Sequence, residues 1–419
     1  MKWFEIRDPV YGFIEFNEWE KKIIDHPVFQ RLRRIRQVGL TSMIYPGTMH
    51  TRFEHSLGVM HLATKMFDNI VKIDENKRLL KDELGYGEGV FERDRQLIRI
   101  AALLHDVGHA PFSHASEELF PLNPQTNKHF KHEDYTAAII KGPLREVIED
   151  NNYNITADEV SDLIEGNPKK LRKRVFWKLL ISSQLDADRG DYLLRDSLHC
   201  GVKYGVYDVE RLLVTLALGK DPESEDIILG VKEGGWHVAE SLIIARYQMF
   251  TQVYYHKTRR AYDYMLKEAL KETIGEYPSP TEIDEFMKYD DYVMWNIMEE
   301  KSEWFRKIIN REHIRMVLQT KETPDDKEKW QIESYKKVLD DNNIWYWEDV
   351  PDEAKSWYKL DDSEEIMIIS SDGKIYPLSH YSIIVKSLQK QFARSRLYVM
   401  KGDKEKVEKL KENMEVISP

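Results

Sequence analysis

The sequence predicts a mainly α protein, a large helical bundle followed by a small α/β unit toward the C-terminus. Three observations carry this. Helix formers dominate, long stretches repeat apolar residues at helical period, and 20 Gly and 15 Pro in 419 residues are modest.

With 42% hydrophobic and 32% charged residues, the chain is long enough for a large core and for more than one domain. Three units are expected, at 1–272, 273–360 and 361–419. The single cysteine, Cys200, excludes an internal disulfide and fits a reducing cytoplasm. The N-terminal MKWFEIRDPV lacks an apolar signal core, and no run of about 18 apolar residues offers a membrane span. A net charge of −11 argues against broad affinity for nucleic-acid backbones. Arginines nonetheless cluster in places, so the expectation is a soluble cytoplasmic protein with a small anionic ligand.

Residues 4–16 alternate and carry Asp-Pro and Gly punctuation, which predicts a β-hairpin. Glu18–Asp25 reads as a helix, and Pro27 opens another running to about Gln37. Phe29, Leu32, Ile35 and Val38 form its apolar stripe. Arg31, Arg33, Arg34 and Arg36 take the other faces, where arginines ordinarily pair with acids in water. Ser56–Val71 is an amphipathic helix following His55, and residues 74–94 form a polar loop.

The stretch Ala101–His114, AALLHDVGHAPFSH, is where chemistry concentrates. An apolar helix delivers His105, Asp106, His109 and His114, and burying such groups unpaired costs on the order of several kcal/mol each. Imidazole with carboxylate suits Zn, Fe, Mn or Mg. His105 and His109, at i and i+4, would share a helix face. The general-base Glu of a zincin helix is missing and Pro111 stops the helix, which excludes a metalloprotease. Further ligands must come from elsewhere. MHTRFEHSLGV (49–59) offers His55, and LDADRGDYLLRD (185–196) offers Asp188 among other acids. A set of His55, His105, Asp106 and Asp188 would leave positions open for water, the catalytic pattern.

Ser113–Phe120 reads as a short helix in which His114 and Glu117 lie one turn apart, and His132-Glu133 opens another after a loop. His129 reads as a structural loop histidine. Residues 144–184 pack as helices around a Gly-Asn-Pro turn at 166–168. Over Gln184–Asp196, Asp188, Tyr192 and Arg195 share one helix face, flanked by Asp191 and Asp196. A helix over 207–217, a strand over Ile227–Val231 and one long helix over Trp236–Glu272 follow, the last with an aromatic stripe that reads as core. Residues 275–360 predict a helical subdomain. Glu364–Leu378 predicts a hairpin about Ser-Asp-Gly, then a helix to Phe392, a strand Arg396–Met400 and a charged helix Asp403–Met414.

The ordered set His, His-Asp, Asp resembles the signature of the HD phosphohydrolase superfamily. DPVYGFIEF (8–16), IIDHPVFQRLRRIRQVGL (23–40), YPGTMHTRFEHSLGVMHLA (45–63), LLHDVGHAPFSH (103–114), His132-Glu133 and LDADRGDYLLRD together resemble its deoxynucleoside triphosphate triphosphohydrolase branch, over roughly residues 1–270. That branch includes bacterial enzymes and the animal SAM-and-HD-domain enzyme. The resemblance implies an HD-domain helical bundle over 1–272 and metal-dependent hydrolysis of a dNTP to deoxynucleoside and inorganic triphosphate. It implies a divalent ion (Mn, Mg, Fe or Zn) on His55, His105, Asp106 and Asp188. His109, His114 and His132 would supply the proton for the leaving 5′-oxygen, with Glu117 tuning one of them and His114 the one expected to contact that bridging oxygen.

By the same resemblance Gln37, Val38, Tyr192 and Asp196 meet the sugar, with Tyr192 excluding a 2′-hydroxyl. Arg52 and Arg189 meet the phosphates, and Tyr262 reaches the substrate from the basic group around Tyr254, His256, Lys257, Arg259 and Arg260. Without the resemblance, Arg52 reads as an ion-pair partner of Glu54, and Gln37 as a helix-end cap. Asp25, Gln30 and Arg33 match a guanine-nucleotide activator site, although Tyr11 stands where the animal enzyme has histidine. Family members form homodimers or homotetramers, and the small C-terminal tail serves assembly. Two alternatives stand beside this reading. One is hydrolysis of other nucleotides (monophosphates, cyclic nucleotides or alarmones); the other is a non-catalytic nucleotide-sensing or nucleic-acid-binding module.

Overall fold

Trp3–Asp8 and Gly12–Asn17 pair as the expected antiparallel hairpin. Asp8 builds its turn by accepting Val10 N–H and Tyr11 N–H at 2.9 and 3.0 Å, and Gly12 takes φ +78°. The computed structural model describes residues 2–87, 89–221, 224–350, 365–389 and 392–415. Asn17 and Glu20 then form a capping box that starts the helix Glu18–Asp25.

The helix predicted from Pro27 to Gln37 ends early. Pro27–Gln30 is α-helical, Arg31–Arg34 is a 3-10 turn, and Ile35 is extended. Backbone pairing with a later segment takes over: Gln37 N–H donates to His50 O at 3.1 Å and Arg52 N–H donates to Ile35 O at 2.9 Å. Gln37 is therefore no helix cap. It lies in a turn just after the Arg36–Thr51 bridge, bonded to His50 O.

Four long helices surround the main core: Arg52–Lys72, Val90–Leu104, Ala187–Cys200 and Trp236–Met249. The first begins before His55, so that histidine is on the helix. The predicted loop 74–94 contains the helix Asp74–Leu84, because Leu80 is fully buried and Gly85, at φ +65°, supplies the left-handed cap. The 207–217 helix gives way to a strand at Leu216. The long helix over 236–272 is broken by a π turn, Phe250–Tyr254, and restarts at Lys257 with His256 as its N-cap.

A second core gathers Ala261, Tyr262, Met265, Leu266, Phe286, Met294 and Phe305 against Ala110, Phe112, Phe120 and Tyr135. The chain passes from the first core to the second between Val107 and Ala110. The His-Asp segment lies at this crossing.

Two further small sheets accompany the helices. One is ordered Leu216–Lys220, Ile227–Lys232, Met367–Ile369, Ile375–Pro377, with a parallel pair in the middle. The other places Arg396–Val399 between Arg315–Gln319 and Tyr346–Asp349, all antiparallel. Strand pairing thus joins residues from all three expected units. The boundary expected at 360/361 falls in 351–364, outside the described residues. Among the described residues, no helix is long and apolar enough to cross a membrane. The fold is mainly α.

Candidate active site

The helix Val90–Leu104 stops at His105, and the next residues turn tightly, with Val107 N–H donating to Leu104 O and His109 N–H to Asp106 O at 3.1 Å each. His105 and His109 therefore do not share a helix face, contrary to the spacing argument. Thr136, on the helix His132–Lys141, accepts Gly108 N–H at 3.0 Å and fixes the turn. A Cβ on Gly108 would sit 2.2 Å from Thr136 N, so the approach needs glycine.

His55, His105 and Asp188 bring ligand atoms within 4.8 Å of one another. His55 Nε2 lies 3.1 Å from Asp188 Oδ1 and 3.5 Å from Asp106 Oδ2, and His105 Nε2 lies 3.4 Å from Asp106 Oδ1. The tautomers follow from the partners. His55 Nδ1 faces Asp191 Oδ2 at 2.8 Å, and His105 Nδ1 faces Ala102 O at 2.8 Å; both partners are acceptors. Both Nδ1 atoms therefore donate, leaving Nε2 lone pairs aimed at carboxylates, and His105 Nε2 is buried without a hydrogen-bond partner. Acceptors facing acceptors in a mixed N/O set fit a divalent cation.

Asp191 is fixed in turn. Arg195 donates to both its oxygens at 2.9 Å and to Asp8 Oδ2 at 2.8 Å. Burial pushes the Asp191 carboxyl up, but Arg195 and His55 outweigh it and bring it to about 2. Arg195 is thus fully buried with Asp191, while Asp188 and Tyr192 on the same helix are half-buried. Arg52 pairs with Asp106 and donates to Ser113 Oγ at 2.8 Å; Glu54 takes Thr51 instead. Burial raises Asp106, yet Arg52, His105 and His109 hold it well below the carboxylate range.

His109, His114, Glu117 and His132 form a second cluster. Glu117 Oε1 lies 2.8 Å from His114 Nδ1, 3.0 Å from His132 Nδ1 and 3.6 Å from His109 Nδ1. The His109 and His132 rings stack at 3.9 Å, and His109 Nε2 reaches Asp106 Oδ1 at 3.2 Å, which links the cluster to the first set. The two stacked imidazoles are driven apart. Burial, Arg52 and His132 hold His109 well below the usual imidazole range. Burial also lowers His132, but Glu117 outweighs it and raises the group. Glu117 itself is held low by His114 and His132 against its burial. His129 donates to Phe120 O at 2.5 Å, a structural contact.

On the 187–200 helix, Asp188, Tyr192 and Asp196 follow one another at one-turn intervals. Asp196 is held between His50 Nε2 at 2.7 Å and the Tyr254 hydroxyl at 2.6 Å, and the Tyr192 and Tyr254 rings meet edge-on at 6.1 Å. Tyr254, not Tyr262, is the tyrosine that joins this group. The π turn ahead of His256 separates the two. Tyr262 is buried in the second core with its hydroxyl 3.1 Å from His313 Nδ1. Arg189 is taken up by Asp186, the N-cap of its helix, and by Ser183 O. Gln37 and Val38 are buried near this side, Gln37 Oε1 without a hydrogen-bond partner.

Of the activator residues, Arg33 Nε donates to Gln30 Oε1 at 2.8 Å, Gln30 donates to Ile24 O at 2.7 Å, and Asp25 pairs with Lys21 at the surface. The Arg33 guanidinium sits 3.5 Å from the Phe53 ring centre. The sequence reading assigned His50 no role, took Asp8 only as turn punctuation and left Tyr254 in a basic group. Position was their only signal: His50 lies two residues before Arg52, and Asp8 opens the Asp-Pro turn.

An HD-domain model matches residues 52–200 and an HD-associated-region model matches residues 207–324. A Methanocaldococcus jannaschii protein described as uncharacterized is 32% identical over 97% of this chain and 81% of its own length. A Dictyostelium discoideum protein named deoxynucleoside triphosphate triphosphohydrolase SAMHD1 homolog is 32% identical over 68% of this chain, which spans 50% of that protein. The crystal structure of a phosphohydrolase from Bacteroides thetaiotaomicron superposes with a TM-score of 0.71 at 25% identity, covering 96% of this chain and all of the other. The chain belongs to the HD-domain phosphohydrolase family.

Proposed function

We propose that this phosphohydrolase acts on deoxynucleoside triphosphates, releasing deoxynucleoside and inorganic triphosphate. The observation that carries the reading is the Asp196 carboxylate, held by His50 and Tyr254 beside Tyr192 on the helix that carries Asp188. A buried acceptor next to an aromatic face suits a sugar 3′-hydroxyl, a tyrosine ring packed on C2′ would exclude a 2′-hydroxyl, and Gln37 Oε1 offers a second acceptor. The Dictyostelium relative's name agrees.

When bound at His55, His105, Asp106 and Asp188, a divalent metal supplies Lewis-acid polarisation of a phosphoryl oxygen and an activated water. Arg52 stands beside Asp106 to meet phosphate oxygens in its planar fork, and Arg189, here paired with Asp186, would be the second phosphate arginine. His132, whose hold on a proton Glu117 strengthens, is the acid of the cluster; His114, two-thirds exposed and hydrogen-bonded to the same carboxylate, stands at its open side. His109, neutral, ties the acid cluster to Asp106. The same reading places a nucleotide activator at Asp25, Gln30 and Arg33 and the working enzyme as a homodimer or homotetramer.

The test is product identification with metal-loaded protein, each of the four dNTPs offered singly and then in pairs, with Asp106→Ala as the blank. Tripolyphosphate and deoxynucleoside from the wild type alone are expected, and activity confined to pairs would mark the activator. Cleavage of monophosphates, cyclic nucleotides or alarmones in place of dNTPs would overturn the substrate assignment.

A further inference from the structure

Asp291 lies far outside the 52–200 match, yet its carboxylate holds the active-site turn. Asp291 Oδ1 accepts Phe112 N–H at 2.8 Å, and its Oδ2 accepts Arg36 N–H at 2.9 Å. One carboxylate therefore bridges two segments of the site. Phe112 and Ser113 both sit at φ +59°, a conformation that consecutive L residues hold only when their surroundings impose it. Ser113 Oγ donates to Arg36 O and accepts from Arg52 Nε, both at 2.8 Å, and Arg52 continues to Asp106. The two neighbours of Asp291 bond elsewhere, to the 31–34 turn. Tyr289 O accepts from Arg31 Nε at 2.9 Å while Arg31 donates to His109 O at 3.0 Å, and Asp290 pairs with Arg34 at 2.5 Å.

We propose that Asp291 is a positioning residue of the active site, whose carboxylate fixes the Phe112–Ser113 turn and the Arg36–Gln37 segment so that Arg52 stands against Asp106. It acts through Ser113 and Arg52 and touches no reacting atom. The geometry requires a two-acceptor group. Two buried amides from different segments converge on it, and an amide side chain would offer one acceptor while presenting its NH2 to the other donor. The turn has little room to relax, since a Cβ on Gly39 would lie 3.0 Å from Phe112 O. The HD-associated region is then part of the site's support, not an appendage to it. The role given to Arg52 in turnover rests on the phosphohydrolase reading above; the clamp does not.

The experiment compares wild type, Asp291→Asn and Asp290→Asn as full-length, metal-loaded proteins. Amide hydrogen exchange is read over residues 35–37 and 110–114, with the 90–104 helix as internal reference, beside steady-state kinetics. For Asp291→Asn, faster exchange confined to those two segments is expected, with kcat lowered roughly 10- to 100-fold and KM changed less than about threefold. Asp290→Asn should keep wild-type kcat. Unchanged exchange and kcat in Asp291→Asn would overturn the proposal. So would faster exchange spread evenly over the chain with a lowered melting temperature, or an equal loss in Asp290→Asn. If the wild type cleaves no dNTP, the substrate assignment fails while the exchange data still decide this one.

Discussion

His55 Nδ1 lies 2.8 Å from Asp191 Oδ2, and that carboxylate is itself locked on both oxygens by Arg195. The relay runs from the hairpin residue Asp8 through Arg195 and Asp191 to an imidazole whose other nitrogen faces Asp188. It orients His55 and strengthens it as a ligand.

Asp191→Asn should therefore weaken divalent-metal affinity by roughly 10- to 100-fold without unfolding the chain. Competition with a chelator of known affinity reads this directly. Wild-type affinity in the variant would mean that His55 needs no such support.

Gly58 lies one turn beyond His55's neighbours, where an added Cβ would sit 1.9 Å from Asp191 Oδ1 and 2.4 Å from an Arg195 nitrogen. Glycine to alanine in a helix interior ordinarily stabilises by about 1 kcal/mol. Here the sign should reverse, with Gly58→Ala destabilising by about 1–3 kcal/mol and losing bound metal. Denaturant unfolding with metal analysis decides it, and a stabilised variant would contradict the packing.

Glu117 raises His132, so the protonated imidazole persists above its ordinary range and activity should fall only as pH rises through that elevated value. Glu117→Gln removes the charge. The alkaline limb of the kcat profile should move to lower pH, with the rate at its optimum reduced about 10²- to 10⁴-fold. An unmoved limb would assign it to another group.

His61 packs against the Tyr11 ring at 4.9 Å, and burial, with Lys65 and Arg99, lowers it to about 4 against the opposing pull of Asp8 and Asp191. The folded chain thus resists protonation that the unfolded chain accepts near 6.5. This contribution to stability is fully present above that value and is lost as pH falls toward 4. Urea unfolding across this window should show a slope that His61→Phe flattens; equal slopes would exclude His61 as its source.

Residues that carry their own local signal were legible in the sequence. The hairpin around Asp8, the helix after Asn17, the turn at Gly166–Pro168 and the strand at Ile227 all announce themselves through caps, turns or alternation, and the structure has them. The His-Asp segment was conspicuous because its groups are costly to bury. Misread features depend on partners distant in sequence. The helix after Pro27 gives way to residues 35–37, which pair with residues 50–52, and the helix after Trp236 breaks at a π turn that no Pro or Gly marks. Tyr254 and Tyr262 are both tyrosines on helix-like spacing, and only that break decides which one meets Asp196. Asp291 is one acid among many in a polar stretch, and nothing nearby in sequence points to Phe112.

The strand Arg396–Val399 lies between Arg315–Gln319 and Tyr346–Asp349 yet follows both in the chain. On the ribosome, its two neighbours emerge first, each with an unpaired inner edge that only a later segment can cover. The parallel pair of Ile227–Lys232 with Met367–Ile369 imposes the same wait on the other sheet. The helical bundle can condense while these edges are still open, so the interval before residue 396 leaves the tunnel is when the nascent chain is most exposed to chaperones and to its own copies.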